Sequence, residues 1–224
     1  MSLLPLLAAA VAFVALWLAW TTFNAARTRQ TARAEFFTAV APLFDRVTTR
    51  IEPTGFPRMT GHMGPHAFDL WVIPDSLTFR KLPTLWLMLT LPETLPVNAT
   101  LDIMVRPTGQ EPFSRFPQLR HPLPCPAFLP EGSGVRSDNA ALVTPESLVA
   151  RHAAIFDDPK VKELVISSKG LRLVILADEA ERGRYLIFRD AEVGLVALSP
   201  ARLQPLIKTL SALRSDLLNH AEAS

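Results

Sequence analysis

The longest uninterrupted run of apolar residues lies at the N-terminal end of the chain. Residues 3–20 read LLPLLAAAVAFVALWLAW and contain no charged side chain. As a helix this run would rise about 27 Å at roughly 1.5 Å per residue, close to the ~30 Å hydrocarbon core of a bilayer. Trp17 and Trp20 lie near its end, where indole rings favour the headgroup region. The pattern therefore predicts a transmembrane anchor over residues 1–23, inserted in the lipid bilayer through residues 3–20.

The basic residues that flank this run all lie on its C-terminal side. Arg27, Arg29 and Arg33 follow the run, and no Lys or Arg precedes it. An export signal normally carries basic residues before its apolar core, and cytoplasmic flanks carry an excess of them. We therefore expect an uncleaved single-pass anchor with the rest of the chain in the cytoplasm. The alternatives are cleavage after Ala-Arg-Ala at 32–34 and a periplasmic domain.

A second apolar stripe follows the anchor. Its members recur at three- and four-residue steps and are Phe36, Phe37, Val40, Phe44, Val47 and Ile51. This spacing is typical of one face of an amphipathic helix, so the sequence predicts a juxtamembrane helix over 24–51. Such a stripe packs either on the protein's own domain or against a partner helix.

Prolines shape the next part of the chain. Fourteen of the 20 prolines lie in residues 52–130, a density that no helix of useful length tolerates. Runs rich in large and β-branched residues, each ended by a proline, predict strands at His66–Ile73, Thr84–Leu91 and Ala99–Arg106. Ser76–Arg80 is predicted to add a short edge strand.

Helical and extended patterns alternate in the last third of the chain. Thr144, Pro145 and Glu146 resemble a helix start and predict a helix over 145–157. The predicted strands are Lys162–Ser167, Leu171–Ala177, Arg184–Arg189 and Val193–Leu198, the first two forming a hairpin around Ser168-Lys169-Gly170. A closing amphipathic helix is marked by Leu203, Leu206, Ile207, Leu210, Leu213 and Leu217.

These elements predict an α+β fold, in which the anchor is followed by a mixed, mainly antiparallel sheet with helices packed on one face. The globular domain is expected over 52–218, followed by a short tail at 219–224. Residues 136–148 and 189–203 both read as strand, cap, proline and amphipathic helix. This similarity raises the hypothesis that the domain consists of two related halves.

Composition narrows the function classes. Charged residues make up 20% of the chain, which is too many for a polytopic membrane protein, and the net charge is +2 without a dense basic run. Nucleic acid is therefore not an expected partner. The single cysteine, Cys125, excludes an intrachain disulfide and a zinc site built mainly of thiolates, and agrees with a reducing compartment.

Four residues form the only candidate metal set. His62 and His66 flank a Gly-Pro turn, and His121 precedes Cys125 in a proline-rich segment, giving an N₃S set of the kind that binds zinc. Prolines in both pairs forbid the helical arrangement of metalloproteases, and a turn before a strand explains the first pair equally well. No nucleophile elbow, phosphate-binding loop or dinucleotide motif occurs. We therefore expect no catalytic residues, no cofactor and no metal.

A long proline-rich loop carries the most conspicuous surface candidates. The segment 107–134 contains Phe113, Phe116 and Phe128. A loop with three phenylalanines either buries them beneath itself or offers them to a partner or to lipid. The hypothesis favoured by the sequence is a partner surface formed by these three side chains.

Two segments give the chain a resemblance to known proteins. FDLWVIPDSLTFRKLPTLWLMLTLP at 68–92 and RGRYLIFRDAEVG at 182–194 resemble bacterial single-span membrane-anchored proteins of unknown function. The resemblance implies no activity for any residue. The leading functional hypothesis is a non-enzymatic accessory or assembly component of a membrane complex, with a membrane protein as partner. The alternative is a cytoplasmic-face ligand-binding or hydrolytic domain with a site near the 61–66 turn and the 107–134 loop.

Overall fold

A computed structural model describes residues 3–75, 82–183, 185 and 192–223, which form one antiparallel sheet with helices at both ends of the chain. The helices are α1 (Leu3–Ala34), α2 (Glu146–Ala150) and α3 (Pro200–Glu222). The strands are β1 (Asp45–Ile51), β2 (Pro57–Met63), β3 (His66–Asp75), β4 (Thr84–Pro92), β5 (Leu101–Met104), β6 (His121–Leu123), β7 (Gly134–Ser137), β8 (Val161–Ser167) and β9 (Gly170–Glu179). The fold is the α+β class that the sequence predicts.

The sheet has nine strands in the order β1-β2-β3-β4-β9-β8-β5-β7-β6. Strands β1 to β4 form a meander, and β4 then pairs with β9 along its whole length, with Leu87 opposite Ile175 and Leu89 opposite Leu173. A tight turn joins β8 to β9 and requires Gly170, whose φ is 129°. A β-carbon there would lie 2.1 Å from the carbonyl oxygen of Leu91, so the hairpin and β4 approach as closely as the backbone allows.

One face of the sheet is covered by helices and carries the main core. Leu70, Leu87, Leu89 and Leu173 project from adjacent strands on this face, because alternate residues of each strand share a side. The predicted stripe of α3 is buried here, which confirms the closing helix; its members are Leu203, Leu206, Ile207, Leu210, Leu213 and Leu217. We call this side the helix-covered face.

The opposite face is covered by the proline-rich loop instead. Phe113 and Phe116 are each 6% exposed and pack with Met88, Met104 and Val174 in a second, smaller core. The rings of Phe113 and Trp86 lie 5.2 Å apart between centroids. We call this side the loop-covered face.

The predicted partner surface is therefore corrected. Phe113 and Phe116 fill the loop-covered face because the strands beneath them present apolar residues on both sides of the sheet. Phe128 is half-buried and packs against the main core. Sequence reasoning left open that the loop buries its aromatic residues beneath itself, and this is the arrangement observed.

The predicted juxtamembrane helix is also wrong beyond Ala34, where α1 ends. Residues Asp45–Ile51 form strand β1 at the edge of the sheet. The residues of the predicted stripe lie in two different structures. The first four are buried in an irregular segment that contains Pro42, and they are Phe36, Phe37, Val40 and Phe44. The last two, Val47 and Ile51, are exposed on β1, so the six residues have a helical spacing although they do not lie on one helix.

The other predicted elements have mixed outcomes. Strands β3, β4 and β5 overlap the three predicted strands of the proline-rich half, and the predicted hairpin is β8–β9. The helix predicted at 145–157 divides into α2 and a 3₁₀ turn at Ala153–Asp157. The backbone at 193–198 is irregular, so the strand predicted there is wrong and the proposed internal similarity lacks its second strand.

Three predicted segments lie outside the described residues or have a different boundary in the structure. The predicted strand Ser76–Arg80 lies outside the described residues, as does Arg184–Arg189 except for Tyr185. Helix α3 continues to Glu222, so the predicted tail at 219–224 begins inside it. Strands β1, β2, β6 and β7 are additions that the sequence patterns did not predict.

Burial of the loop generates a first prediction, for the variant Phe113→Ala. Removing a buried phenylalanine costs about 3–5 kcal/mol, and at about 2–4 °C per kcal/mol the melting temperature of the full chain in detergent should fall by about 10 °C. Leu142→Ala is the control, since Leu142 is 50% exposed and a surface change is worth about 0.5 kcal/mol or less. Equal melting temperatures for Phe113→Ala and the native chain would mean that the loop does not pack in solution.

Candidate functional site

Helix α1 joins the domain through a packed junction. Arg29 Nη1 of α1 lies 2.9 Å from Glu192 Oε1, and the backbone N–H of Leu198 donates to the carbonyl oxygen of Phe36 at 2.9 Å. Phe36 and Phe37 are each 2% exposed, and the Phe36 ring meets Phe56 edge-on with centroids 6.1 Å apart. The end of α1 is therefore held against the segment 192–198, and we call these contacts the junction.

Helix α1 exposes its apolar side chains along the segment that precedes the junction. Phe13 and Leu16 are each 71% exposed, and Trp20 is 63% exposed. Among the described residues, this is the single helix that is long and apolar enough to cross a membrane, with a mean hydropathy of 1.6 over its most apolar window. A helix with this surface is compatible with one membrane span.

The four candidate metal ligands are not brought together. Strand β2, which carries His62, is second in the sheet, and β6, which carries His121, is ninth. Seven strand spacings of about 4.8 Å place these residues roughly 34 Å apart. Cys125 follows β6 and is exposed at the same far edge. The four candidate residues therefore do not form an N₃S set, and no group of three His, Cys, Asp or Glu suited to a metal occurs among the described residues.

His62 and His66 also lie on opposite faces of the β2–β3 hairpin. His66 pairs with Met63 and His62 pairs with Ala67, so alternation along the strands separates the two rings. His66 Nδ1 lies 3.8 Å from Glu93 Oε2, and Arg214 of α3 donates to both oxygens of Glu93 at 2.5 Å. The Arg214 guanidinium holds the pKa of Glu93 below its usual range. These contacts tie the hairpin to α3.

Sequence reasoning missed a pair of buried acids beneath the loop. Asp102 of β5 is 2% exposed and Glu163 of β8 is fully buried, both on the loop-covered face. Glu163 accepts hydrogen bonds from Arg172 Nη2 at 2.9 Å and from the Ser114 hydroxyl of the loop. Asp102 Oδ1 has no hydrogen-bond partner in the described part of the chain. The signal in the sequence was an acid inside each of two otherwise apolar strands.

The two acids differ in their partners and so in their protonation. Burial, together with the neighbouring Glu163 carboxylate, raises the pKa of Asp102 to about 8, although Arg172 opposes the shift. Burial also raises the pKa of Glu163, but this carboxylate has both Arg172 and Ser114 as donors. The arrangement favours the neutral form of Asp102 at neutral pH, whereas the Glu163 carboxyl is hydrogen-bonded to Arg172 and Ser114.

A third acid, Glu111, holds the start of the loop. Glu111 accepts hydrogen bonds from the backbone N–H of Thr108 at 2.6 Å and its hydroxyl at 2.8 Å, and lies 3.2 Å from Lys162 Nζ. Burial favours the neutral acid, but the hydrogen bonds from Thr108 and Lys162 outweigh it and lower the pKa of Glu111 to about 2. Lys162 also donates to the carbonyl oxygens of Val105 and Arg106.

These acids do not form an accessible catalytic site. The oxygens of Asp102 and Glu163 lie beneath the loop, where a substrate does not reach them. A cleft of about 470 Å³ lies beside the junction and contains Arg202 and Asp178. Arg202 donates to the carbonyl oxygens of Ala177 and Leu176, and Asp178 accepts from the backbone N–H of Gly194 at 2.7 Å. Both charged groups are thus engaged in holding the fold.

Helix α1 and the sheet define the class of protein: within the described residues it is a nine-stranded antiparallel α+β domain that follows one N-terminal helix long and apolar enough to span a membrane. No protein-family model matches the chain, and neither a curated protein nor a solved structure shows significant similarity to it. The junction, which is the point where anchor and domain meet, is therefore the feature on which a functional proposal rests.

The buried acids generate a second prediction, concerning pH. With a pKa of about 8 in the fold and an ordinary value of 3.8, Asp102 keeps its proton on folding, so its contribution to stability is full below about pH 4 and is lost as the pH rises towards 8. Asp102→Asn carries no proton to lose. The stability of Asp102→Asn relative to the native chain should therefore increase by about 1.4 kcal/mol per pH unit between about pH 4 and about pH 8, and then level off.

The measurement is chemical unfolding of both chains in detergent at several pH values. Glu131→Gln, at an exposed position, is the control and should follow the native curve. Parallel curves for the native chain and Asp102→Asn would show that Asp102 is ionised in the fold.

Proposed function

We propose that this protein is a membrane-tethered accessory or assembly component of a membrane protein complex that acts without catalysis. The observation that carries the proposal is the junction. A tether that merely retains a domain needs only a flexible linker, whereas here α1 is followed by two phenylalanines that are each 2% exposed. A packed junction fixes the orientation of the domain relative to the helix axis, which suits a part that positions other membrane proteins.

The chemistry of the domain supports a non-catalytic role. Catalysis needs an acid, base or nucleophile in an accessible and supported position. The carboxyl group of Asp102, whose pKa is strongly raised, lies beneath the loop. Arg202 and Asp178 in the cleft beside the junction are hydrogen-bonded to the backbone. These groups stabilise the fold instead of facing a substrate.

We propose further that the domain lies on the cytoplasmic side. Arg27, Arg29 and Arg33 follow the apolar run, and cytoplasmic flanks of membrane helices carry such an excess of basic residues. Two of these charges have contacts in the fold, since Arg33 lies over the Phe56 ring and Arg29 pairs with Glu192. The residues that favour this orientation thus also form the junction.

The single cysteine gives a direct test of orientation. Cys125 is exposed, so a membrane-impermeant maleimide should label it in inverted membrane vesicles but not in intact spheroplasts. Cys125→Ser provides the background for labelling. Strong labelling in intact spheroplasts would place the domain on the outer side and refute the cytoplasmic assignment.

A charge exchange at the junction tests the assembly role. The single variant Arg29→Glu places two acids next to each other, at positions 29 and 192. The double variant Arg29→Glu with Glu192→Arg restores an ion pair with the two charges exchanged. Because a partly exposed pair is worth about 1 kcal/mol or less, all three chains should fold and remain in the membrane. We expect the single variant to retain several-fold less of the co-purifying membrane protein in mild detergent, and the double variant to recover it.

The readout is quantitative mass spectrometry of the complexes, with the anchored chain itself as the internal standard. A native chain that co-purifies with no membrane protein at comparable amount would contradict the assembly role. If all three chains recover equal amounts of the partner, the junction does not contribute to binding it, which contradicts the proposal.

A further inference from the structure

The first strand of the sheet has an open outer edge. All seven residues of β1 (Asp45–Ile51) are exposed, and within the described ranges β1 pairs only with β2. An unpaired edge presents backbone donors and acceptors to any strand that can lie beside it. Proteins usually protect such an edge with charged residues, proline, a bulge or a covering segment. Strand β1 has charged residues and an irregularity in its pairing near its start, whereas Val47 to Ile51 contain one charged residue, Arg50, and no proline or lysine.

The register shows which residues face outward. The backbone N–H of Glu52 donates to the carbonyl oxygen of Phe56 at 2.8 Å, so Glu52 directs its backbone groups towards β2. In an antiparallel ladder alternate residues bond to the same neighbour, so Arg50 and Thr48 also face β2. Ile51 lies opposite Pro57, which has no N–H to donate. The backbone groups of Thr49 and Ile51 therefore face away from the sheet.

Two exposed apolar side chains lie on β1, where they could pack against the side chains of an added strand. Val47 is 38% exposed and Ile51 is 52% exposed, although both are β-branched residues suited to a strand interior. At the start of the strand Arg46 holds a φ of 52° at an irregularity in the pairing with β2. No contact partner occurs for Arg46 among the described residues, so its charge is available to a neighbour on the open side.

The edge is complementary to itself in one register. If two copies lie antiparallel about Thr49, Val47 of each copy faces Ile51 of the other. Arg46 of each copy faces Glu52 of the other, whose carboxylate also pairs with Arg50 of its own strand at 2.5 Å. Apolar pairs and opposite charges across strands are each worth roughly 0.2–1 kcal/mol. A shift by one residue, about Thr48, would instead set Arg46 against Arg50. Charge and hydrophobic pattern therefore agree on the register about Thr49.

We propose that β1 is a homodimer interface, in which the β1 strands of two copies pair antiparallel about a two-fold axis at Thr49 and join two sheets into one. The pairing is isologous, as most dimer interfaces are. A shared bilayer would favour it further, because two anchored chains meet at a high effective concentration. This inference concerns how copies of the chain associate, and it stands whether or not another membrane protein binds.

Disulfide cross-linking tests the register. In a Cys125→Ser background, Thr49→Cys places two cysteines opposite each other with Cα atoms about 5.5 Å apart, within the span of a disulfide. Thr48→Cys is the matched control, because in this register its two copies are offset by two residues and lie about 8 Å apart, beyond that span. After oxidation of membranes containing the full chain, we expect a cross-linked dimer for Thr49→Cys at several-fold the yield for Thr48→Cys.

A second variant separates this edge from any contact between the anchors. Thr49→Pro removes an outward N–H that makes no bond to β2, so the chain should fold but not pair. Thr49→Val keeps the N–H and is its control. By sedimentation in detergent the native chain and Thr49→Val should be dimers, and Thr49→Pro should be a monomer. When all three chains are compared as monomers, their melting temperatures should be similar.

Two results would overturn the proposal. A dimeric Thr49→Pro chain would assign dimerisation to α1 or to another surface. A monomeric native chain with no cross-link at Thr49→Cys would show that the edge is not a contact between copies, and that any strand added to it comes from a different protein.

Discussion

The pairing of β4 with β9 is the contact on which the rest of the molecule depends. It joins the meander of β1 to β4 with the strands of the second half, and no other strand pair connects the two groups in the described fold. Both sides of the pair are covered, by α3 on one face and by the loop on the other. Because β4 is buried on both faces, its sequence is continuously apolar, as is typical of a central strand.

The sequence predicted the central strands of the sheet better than its edge strands. Central strands such as β4 and β9 consist of long apolar runs, and α3 repeats its leucines at helical spacing, so each carries its own signal. Strand β1 reads DRVTTRI and is fully exposed, and its few apolar residues matched the helical period of the phenylalanines before it. Edge strands owe their structure to a neighbour, which no local pattern contains.

The buried acids could not be predicted for a related reason. An acid within an apolar strand is normally taken to face water, and only the position of the loop shows that Asp102 and Glu163 are covered. Once covered, the pair constrains the loop, because Ser114 supplies one hydrogen bond to Glu163 and Arg172 supplies another. A loop packed by phenylalanines alone would have many alternative positions, whereas these polar contacts select one.

The central position of β4–β9 has a consequence for synthesis of the chain. Residues that pair across it, such as Leu87 and Ile175, are far apart in sequence, so the sheet has a high contact order and is expected to close slowly. Helix α1 is synthesised before the sheet, and β4 lacks a partner on one edge until β9 has been synthesised. During synthesis the chain therefore carries an unpaired apolar strand, a state in which chaperone access and translation rate would govern the yield of folded protein.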